Sequence, residues 1–409
     1  SGTIAATPGG LDWSTAVVTG STVTASAGNG YYINTTSNAC TVTLPSSAEA
    51  GDQIVFVDYA RTWASNAITL DSNGLTFQGN ADTYTVNYST AGQSLNIVYA
   101  DSTQGWLPVS DDAVAFDHGN PPTQKAIFGF GGGGTSVFSL TNLASSSGVI
   151  ASDVTGVGTA RWGSAAAGYG TDKGIFGYGA SDATGNLNIT NKVSNSGVVA
   201  SDTTGVGTAR YHLAAASYGG DKAIFGYGEN GGQSSLTNLV NNSGTVASDV
   251  TGVGTARSSL AACGYGGDKA IFGFSLYART SLTNLVSNSG VVAADTSGVG
   301  SARGMLGAAG YGGDKGIFAY GLAADIVSLS NLVSNSGVVA SDVTGVGTAR
   351  RTLSAATYGG DKAIFAYGYT DANVSMSNLV SNSGVVASDV TGVGTARDES
   401  SACGYSLTA

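Results

Sequence analysis

The feature that most constrains this chain is a phrase it repeats six times. DVTGVGTAR at 342–350 recurs in close variants at 153–161, 202–210, 249–257, 295–303 and 389–397. A second phrase, YGGDKAIFAYG at 358–368, recurs in variants after each of the first five copies, and its KAIF portion also precedes the first copy. The Lys before each Ile-Phe pair falls at 125, 173, 222, 269, 315 and 362, and the Arg ending each phrase at 161, 210, 257, 303, 350 and 397, a period of 46 to 49 residues. A unit this short cannot bury a core alone, so each copy must pack on its neighbours.

Each unit divides into four short strand candidates, for example LAAASYG (213–219), IFGYG (224–228), SLTNLV (235–240) and TVASDV (245–250). Four strands per period of this length predict a propeller rather than a helical solenoid. The ends of the array point the same way. It opens at KAIFGFG, lacking a first strand, and stops at ESSACGYSLTA, a first strand without continuation. The C-terminal strand is therefore expected to complete the first unit and close a ring of six blades, whereas a solenoid would carry distinct capping units. The small first strand suits a crowded axis. The Ile-Phe pair and the aromatic after it (Phe130, Tyr178, Tyr227, Phe274, Tyr320, Tyr367) supply bulk between blades.

Residues 1–109 contain no copy of the repeat. CTVTLP (40–45), QIVFVDY (53–59), AITL (67–70), TYTVNY (83–88) and LNIVY (95–99) read as strands separated by Gly/Asn/Ser turns, predicting a small β-sandwich or barrel. Residues 110–124, with His118 and Pro121-Pro122, read as a linker, and 125–409 as the repeat domain. The expected fold class is all-β throughout, in keeping with 63 Gly and only 11% charged residues.

The net charge of −11 sets further bounds. Of 16 Lys and Arg, twelve belong to the repeat, leaving Arg61, Lys192, Arg279 and Arg351. Four scattered cations cannot form a basic patch, so neither nucleic acid nor an anionic membrane surface is an expected partner. Cys40, Cys263 and Cys403 form no disulfide framework. The last two read as small buried fillers, equivalent to Ala167, Ser217, Ala309 and Thr357 in the other repeats. No signal-peptide pattern opens the chain, no apolar run is long enough to span a bilayer, and the start SGTIAATPGG reads as following a removed initiator Met, so synthesis in a cytoplasm is expected.

Comparing the repeats with one another separates constant from variable positions. The turns after strands one and three read YGGDK and SNSG almost unchanged. The loops between strands two and three differ every time (GGGGTSVF, ASDATGNLN, ENGGQSS, SLYARTS, LAADIVS, YTDANVS), as do the two residues after each Arg. An up-and-down blade places these two sets at opposite ends. If the variable end contacts a partner, the contact candidates are Trp162, Tyr211, His212, Tyr277, Arg279, Arg351 and Tyr369, residue types enriched in binding hot spots. The bland alternative is solvent loops drifting once their turns are satisfied. The six Asp that stand eight residues before the six Arg read as structural pairing or turn formation, and the six Asn (142, 191, 238, 284, 331, 378) as hydrogen bonders within the repeat.

Catalytic patterns are weak. With only His118 and His212, a His metal site, a Ser-His-Asp triad and a Cys-His pair are all poorly supported. A carboxylate pair drawn from Asp371, Asp398 and Glu399 could serve glycoside hydrolysis, but no spacing singles it out. FGFGGGGTS (128–136) lacks the Lys-Ser/Thr ending of a phosphate loop. No enzyme activity, metal or cofactor is expected.

Two resemblances add to these readings. GTARYHLAAASYGGDKAIFGYG (207–228) resembles the kelch-type propellers, in which an Arg precedes the inner strand and the second strand ends in glycines; here an aromatic splits the Gly pair and the fourth strand has no Trp. Residues 30–106, with INTT, VTLP, AGDQI, VDYA and the closing GW, resemble a β-module of tailed-bacteriophage virion proteins, notably from marine and cyanobacterial hosts. The array SNSGVVASDVTGVGTAR is similar to repeats in marine phage structural proteins. The resemblance implies a virion surface component: a tail fibre, spike or head decoration, assembled in the host cytoplasm. Residues 1–109 would bind other virion proteins or form a stem, and the propeller would face outward, as an adhesin for a host glycan or receptor or as an architectural subunit of a homo-oligomer.

Overall fold

A computed structural model of the chain describes residues 10–80, 86–111, 124–133, 136–277 and 279–406. The fold is all-β, in two compact units, 1–119 and 120–409. The predicted linker, with His118 and Pro121-Pro122, lies outside the described residues except at its ends, and so do residues 83–85 of the TYTVNY strand.

The N-terminal unit has two sheets over one core. One contains, in order, Asp12–Trp13, Asn29–Ile33, Gln53–Asp58, Ser94–Tyr99 and Trp106–Ser110; the other Thr22–Thr24, Cys40–Thr43, Ile68–Asp71 and Val86–Tyr88. Alternating sequences bury alternate residues, as in Ser94–Tyr99, and Ile33, Val42, Phe56, Trp63, Ile97 and Trp106 fill the space between the sheets. Of the two predicted forms this is the sandwich, although its pairing is unusual. The chain passes from one sheet to the other strand by strand as far as Ile68–Asp71, so successive strands of each sheet run parallel; only the last ones turn back antiparallel.

The repeat unit contains six antiparallel three-stranded sheets of one plan. In the third, Ala214–Tyr218 pairs with Lys222–Gly226, which pairs with Thr237–Val240. The middle strand is buried on both faces from its second residue on. The first sheet takes its opening strand from the C-terminus: Ser401–Ser406 pairs along Gln124–Gly129, which then pairs with Thr141–Ala144. Each opening strand contacts the opening strand of the next sheet, and Ser401–Ser406 contacts both Ser354–Tyr358 and Ala165–Tyr169.

Two expectations need correction. The fourth strand of each repeat is reduced to two isolated bridges, such as Val240↔Val246 and Thr237↔Val250. The physical cause is the buried Asn238: its side-chain amide donates to the Ala247 carbonyl and to Asp249, entering the ladder where a backbone pair would continue, and the register slips by one residue. The Cys equivalence is also shifted. Cys263 and Cys403 pair with Ile271 and Ile127, as Ala216 and Ala356, not Ser217 and Thr357, pair with Ile224 and Ile364. Each Cys sulfur lies over a glycine of the following sheet; a Cβ on Gly174 or Gly316 would come within 2.5 or 2.6 Å of it. Where this position is Ala (Ala167, Ala216, Ala309, Ala356), the facing residue is Ala too (Ala223, Ala270, Ala363, Ala126). Volume is thus conserved across all six interfaces, as close packing demands.

The phrase DVTGVGTAR joins sheets. Each Asp accepts bonds from the backbone N–H and hydroxyl of the Thr or Ser in the preceding copy, as Asp202 does from Thr159, and Asp153 takes the same bonds from Thr395. Its ionic contact is also with the preceding copy's Arg: Arg257 Nη1 lies 3.3 Å from Asp295 Oδ1. Pairing therefore crosses between repeats rather than running eight residues along one. Every such Arg is fully buried and stacked on the aromatic that ends the second strand, with Arg210 Cζ 4.5 Å from the Tyr178 centroid. Arg210 Nη2 donates to Asn238 Oδ1 of the next repeat at 2.6 Å, so the Asn bonds between repeats as well as within one. Burial, only partly offset by Asp202 and Asp342, lowers Arg161 and Arg303 to about 10.

Candidate binding site at the variable loops

The two variable sets meet at one end of the opening strands. The first residue after the Arg bridges to the loop between strands two and three of its own repeat: Trp162↔Ala180, Tyr211↔Glu229, Gly304↔Leu322, Arg351↔Tyr369. The second residue is left-handed in every repeat, with φ of 59° at Gly163 and 50–54° at His212, Ser259, Met305, Thr352 and Glu399. Such angles are uncommon outside glycine. A hydrogen-bond circuit holds them. His212 donates its N–H to Gly163 O, Ser259 to His212, Met305 to Ser259, Thr352 to Met305 and Glu399 to Thr352, and Gly163 donates to Glu399 O, at 2.8–3.1 Å. Six residues, one per repeat, so bond in a circle that returns to its start.

Inside this circle lies a cavity of about 130 Å³, walled by the opening strands and bordered by Gly163, His212, Ser259, Met305, Thr352 and Glu399. A second cavity of about 260 Å³ is lined by the other ends of the same strands, where the uniform YGGDK turns lie. The two share Ala166, Ala262, Ala308, Ala355 and Ala402.

Three of the predicted contact residues come together. Trp162 stacks edge-on to Tyr211 at 5.0 Å, and both rings pack on His212, at 5.5 and 4.6 Å. His212 Nε2 lies 3.4 Å from Glu399 Oε1, an ion-pair distance without hydrogen-bond alignment. Gly163 stands between these two in the circuit, and a Cβ there would come within 3.0 Å of the imidazole. A second pair forms apart, with Arg351 Cζ 5.0 Å from the Tyr369 centroid and its Nη1 reaching Met305 Sδ at 3.7 Å. Tyr277 is exposed, and burial, then Glu229 and Glu399, raise its phenol pKa. Arg279 is an exposed residue of the same loop.

Sequence reasoning did not select Ser259, Thr352, Asp398, Glu399 and Glu229 as contact residues. Burial, then Glu399 beside it, pushes the Asp398 carboxyl up to about 6, while Thr352 Oγ1 donates to it. The signal that could have found the ring residues is positional: all are second after the repeat Arg. Among the described residues no group of three His, Cys, Asp or Glu could hold a metal ion, and no helix is long and apolar enough to cross a membrane.

No protein-family model and no curated protein matches this chain.

Proposed function

We propose that residues 125–409 form a six-bladed, kelch-like β-propeller closed by the C-terminal strand, and that the protein is a non-enzymatic bacteriophage virion surface component whose propeller binds a host-surface glycan or receptor. The architecture draws support from the pairing of Ser401–Ser406 with Gln124–Gly129 and from the Thr395–Asp153 bonds, which repeat between last and first copies what every other neighbouring pair does. The virion assignment rests on the resemblance of residues 30–106 to phage β-modules, with that unit anchoring to other virion proteins.

The observation that carries adhesion is the confinement of sequence diversity to one end of an otherwise uniform scaffold, where Trp162, Tyr211 and His212 cluster at a cavity mouth. Aromatic side chains there supply contact area at low entropic cost. The test is binding of the full chain to arrayed bacterial surface glycans and to host cells. Trp162→Ala with Tyr211→Ala and Tyr369→Ala should abolish binding while leaving the melting temperature within a few degrees. Unchanged binding by that triple variant sinks the assignment of the surface. The uniformity of the remaining scaffold favours a second reading, a head-decorating subunit serving as a display platform. Imaging of intact particles separates the two: copies spread over the head and an absence of glycan binding support decoration.

A further inference from the structure

Resting on the closed ring of six blades, we propose that the uniform end of the repeat unit docks on the uniform end of a second copy of this chain, about a two-fold axis.

Three observations converge on it. The first is exposure without diversity. In five repeats the turn after the third strand is followed by a valine, Val149, Val198, Val291, Val338 or Val385, each 64–67% exposed. Thr245 holds this place in the third repeat and is exposed too. Packing within the fold asks little of side chains so open to solvent. They nevertheless stay alike, while the loops at the other end of the same copies differ every time. Both sets belong to the same repeats and have had the same opportunity to diverge. Recurrent exposed apolar side chains mark a contact surface.

The second is continuity between these valines and a ring of charge. Asn288 Nδ2 donates to Asp268 Oδ2, Asn335 to Asp314 and Asn382 to Asp361, at 3.1–3.2 Å. Each bond ties the turn that carries a valine to the Asp-Lys turn of its own repeat. In five repeats Lys Nζ lies 2.5–2.8 Å from the preceding Asp, and the lysine side chains remain 40–43% exposed. Backbone bonds such as Gly266 N–H to Asp314 O join each such turn to that of the next repeat. Lys269, Asp314 and Lys315 border the cavity of about 260 Å³, so charge lies inside and valine outside on one continuous surface.

The third is self-complementarity. Six lysines and five aspartates nearly balance at this end of a chain of net charge −11, so it draws no partner of one sign. Its complement is itself. A two-fold axis across the ring reverses the order of Asp and Lys around it. One rotation therefore sets lysines opposite the partner's aspartates and aspartates opposite the partner's lysines together. The first repeat, where the chain enters at Gln124, lacks the Asp and stands outside this pairing. A partner without the repeated pattern would meet one sector and leave the others unconstrained; a second copy meets them all.

The experiment is sedimentation velocity on the full chain from low to high micromolar concentration, with electron micrographs of the same samples. A two-fold pair, or a multiple of it, is expected. The combined variant Val149→Thr, Val198→Thr, Val291→Thr, Val338→Thr and Val385→Thr takes the residue the third repeat already carries, so the fold is kept. It should weaken pairing at least about tenfold, because apolar area leaves the contact. Trp162→Ala with Tyr211→Ala and Tyr369→Ala, at the other end, should pair as wild type does. Lys222→Glu, Lys269→Glu, Lys315→Glu and Lys362→Glu together make the face acidic, and Asp221→Lys, Asp268→Lys, Asp314→Lys and Asp361→Lys make it basic. Each of these variants alone should be monomeric, and their equimolar mixture should pair again. A monomeric wild type, an odd-numbered assembly, a valine variant that pairs as tightly as wild type, or a mixture that stays apart overturns the proposal. Six-lobed rings that remain single sink the contact and leave the ring standing, whereas micrographs without rings sink both.

Discussion

The two ends of the repeat unit are built from the same strands and differ in what holds them. At the uniform end the turns depend on particular residues: Gly219 and Gly220 sit at φ 61° and 77°, and the Gly219 N–H reaches the Asp268 carbonyl of the next repeat. A Cβ on Gly219 would lie 2.8 Å from Asn288 O, so the sequence there is bound to glycine. At the variable end a circuit of main-chain hydrogen bonds joins the repeats, and Gly, His, Ser, Met, Thr and Glu all serve in it. A junction made by the backbone leaves its side chains free to differ. That freedom is what a recognition surface requires.

The largest expected effect contrasts adjacent residues. Arg210→Ala removes a buried guanidinium bonded to Tyr227 O, Thr208 O and Asn238, and should cost about 3–5 kcal/mol in urea unfolding. Tyr211→Ala, one residue on, should cost under about 1 kcal/mol and appear in binding instead. Equal destabilisation would erase the distinction between scaffold and variable end.

Next in size is the Cys/Gly exchange. Gly174→Ala alone should destabilise by about 1–3 kcal/mol through overpacking against the Cys403 sulfur. Adding Cys403→Ala recreates the Ala/Ala pair of the other interfaces and should recover most of the loss in a double-mutant cycle. A purely additive result would show that the two residues do not pack together.

Smaller again, Thr352→Gly relieves a β-branched residue at φ 53° and should stabilise by about 1 kcal/mol or less, because glycine's extra unfolded-state entropy offsets part of the gain. The same change at a uniform-end residue of ordinary φ should only destabilise.

The smallest effect is a pH slope. Asp398 has a folded pKa of about 6, raised above its unfolded value, so its contribution is fully present below about pH 4 and is lost as pH rises through 6. Asp398→Asn should therefore raise the melting temperature at pH 7.5 and leave it nearly unchanged at pH 4. The repeat aspartates run the opposite way. Burial raises Asp202, but bonds from Thr159 and Asn191 outweigh it, and its pKa is lowered overall; the stability it contributes is present at neutral pH and lost as pH falls through that lowered value. A flat profile for Asp398→Asn would remove the burial assigned to Asp398.

Much of the repeat unit was legible beforehand. Period, strand positions, the missing opening strand and its C-terminal replacement follow from comparing six copies within one chain, because repetition turns spacing into register. The Cys/Gly and Ala/Ala pairs were not legible, because sequence placed Cys263 and Cys403 level with Ser217 and Thr357, and the strand register moves them by one residue. Hidden from sequence were features that depend on closeness between repeats: the forward pairing of Asp with the previous Arg, the Asn that breaks the fourth strand, and the parallel passage between sheets in residues 10–80. Alternating patterns specify which face is buried, not which strand lies alongside.

The candidate site divides likewise. Sequence alone determined that variation is confined to the residues after each Arg and to one set of loops, since six internal copies supply their own reference. Only the tertiary structure decided that one residue from each repeat joins a single circle and that Gly163 lets His212 and Glu399 meet across it. These are contacts between residues from about 46 to 236 positions apart in the chain, and a chain encodes such proximity only through the packing of everything between.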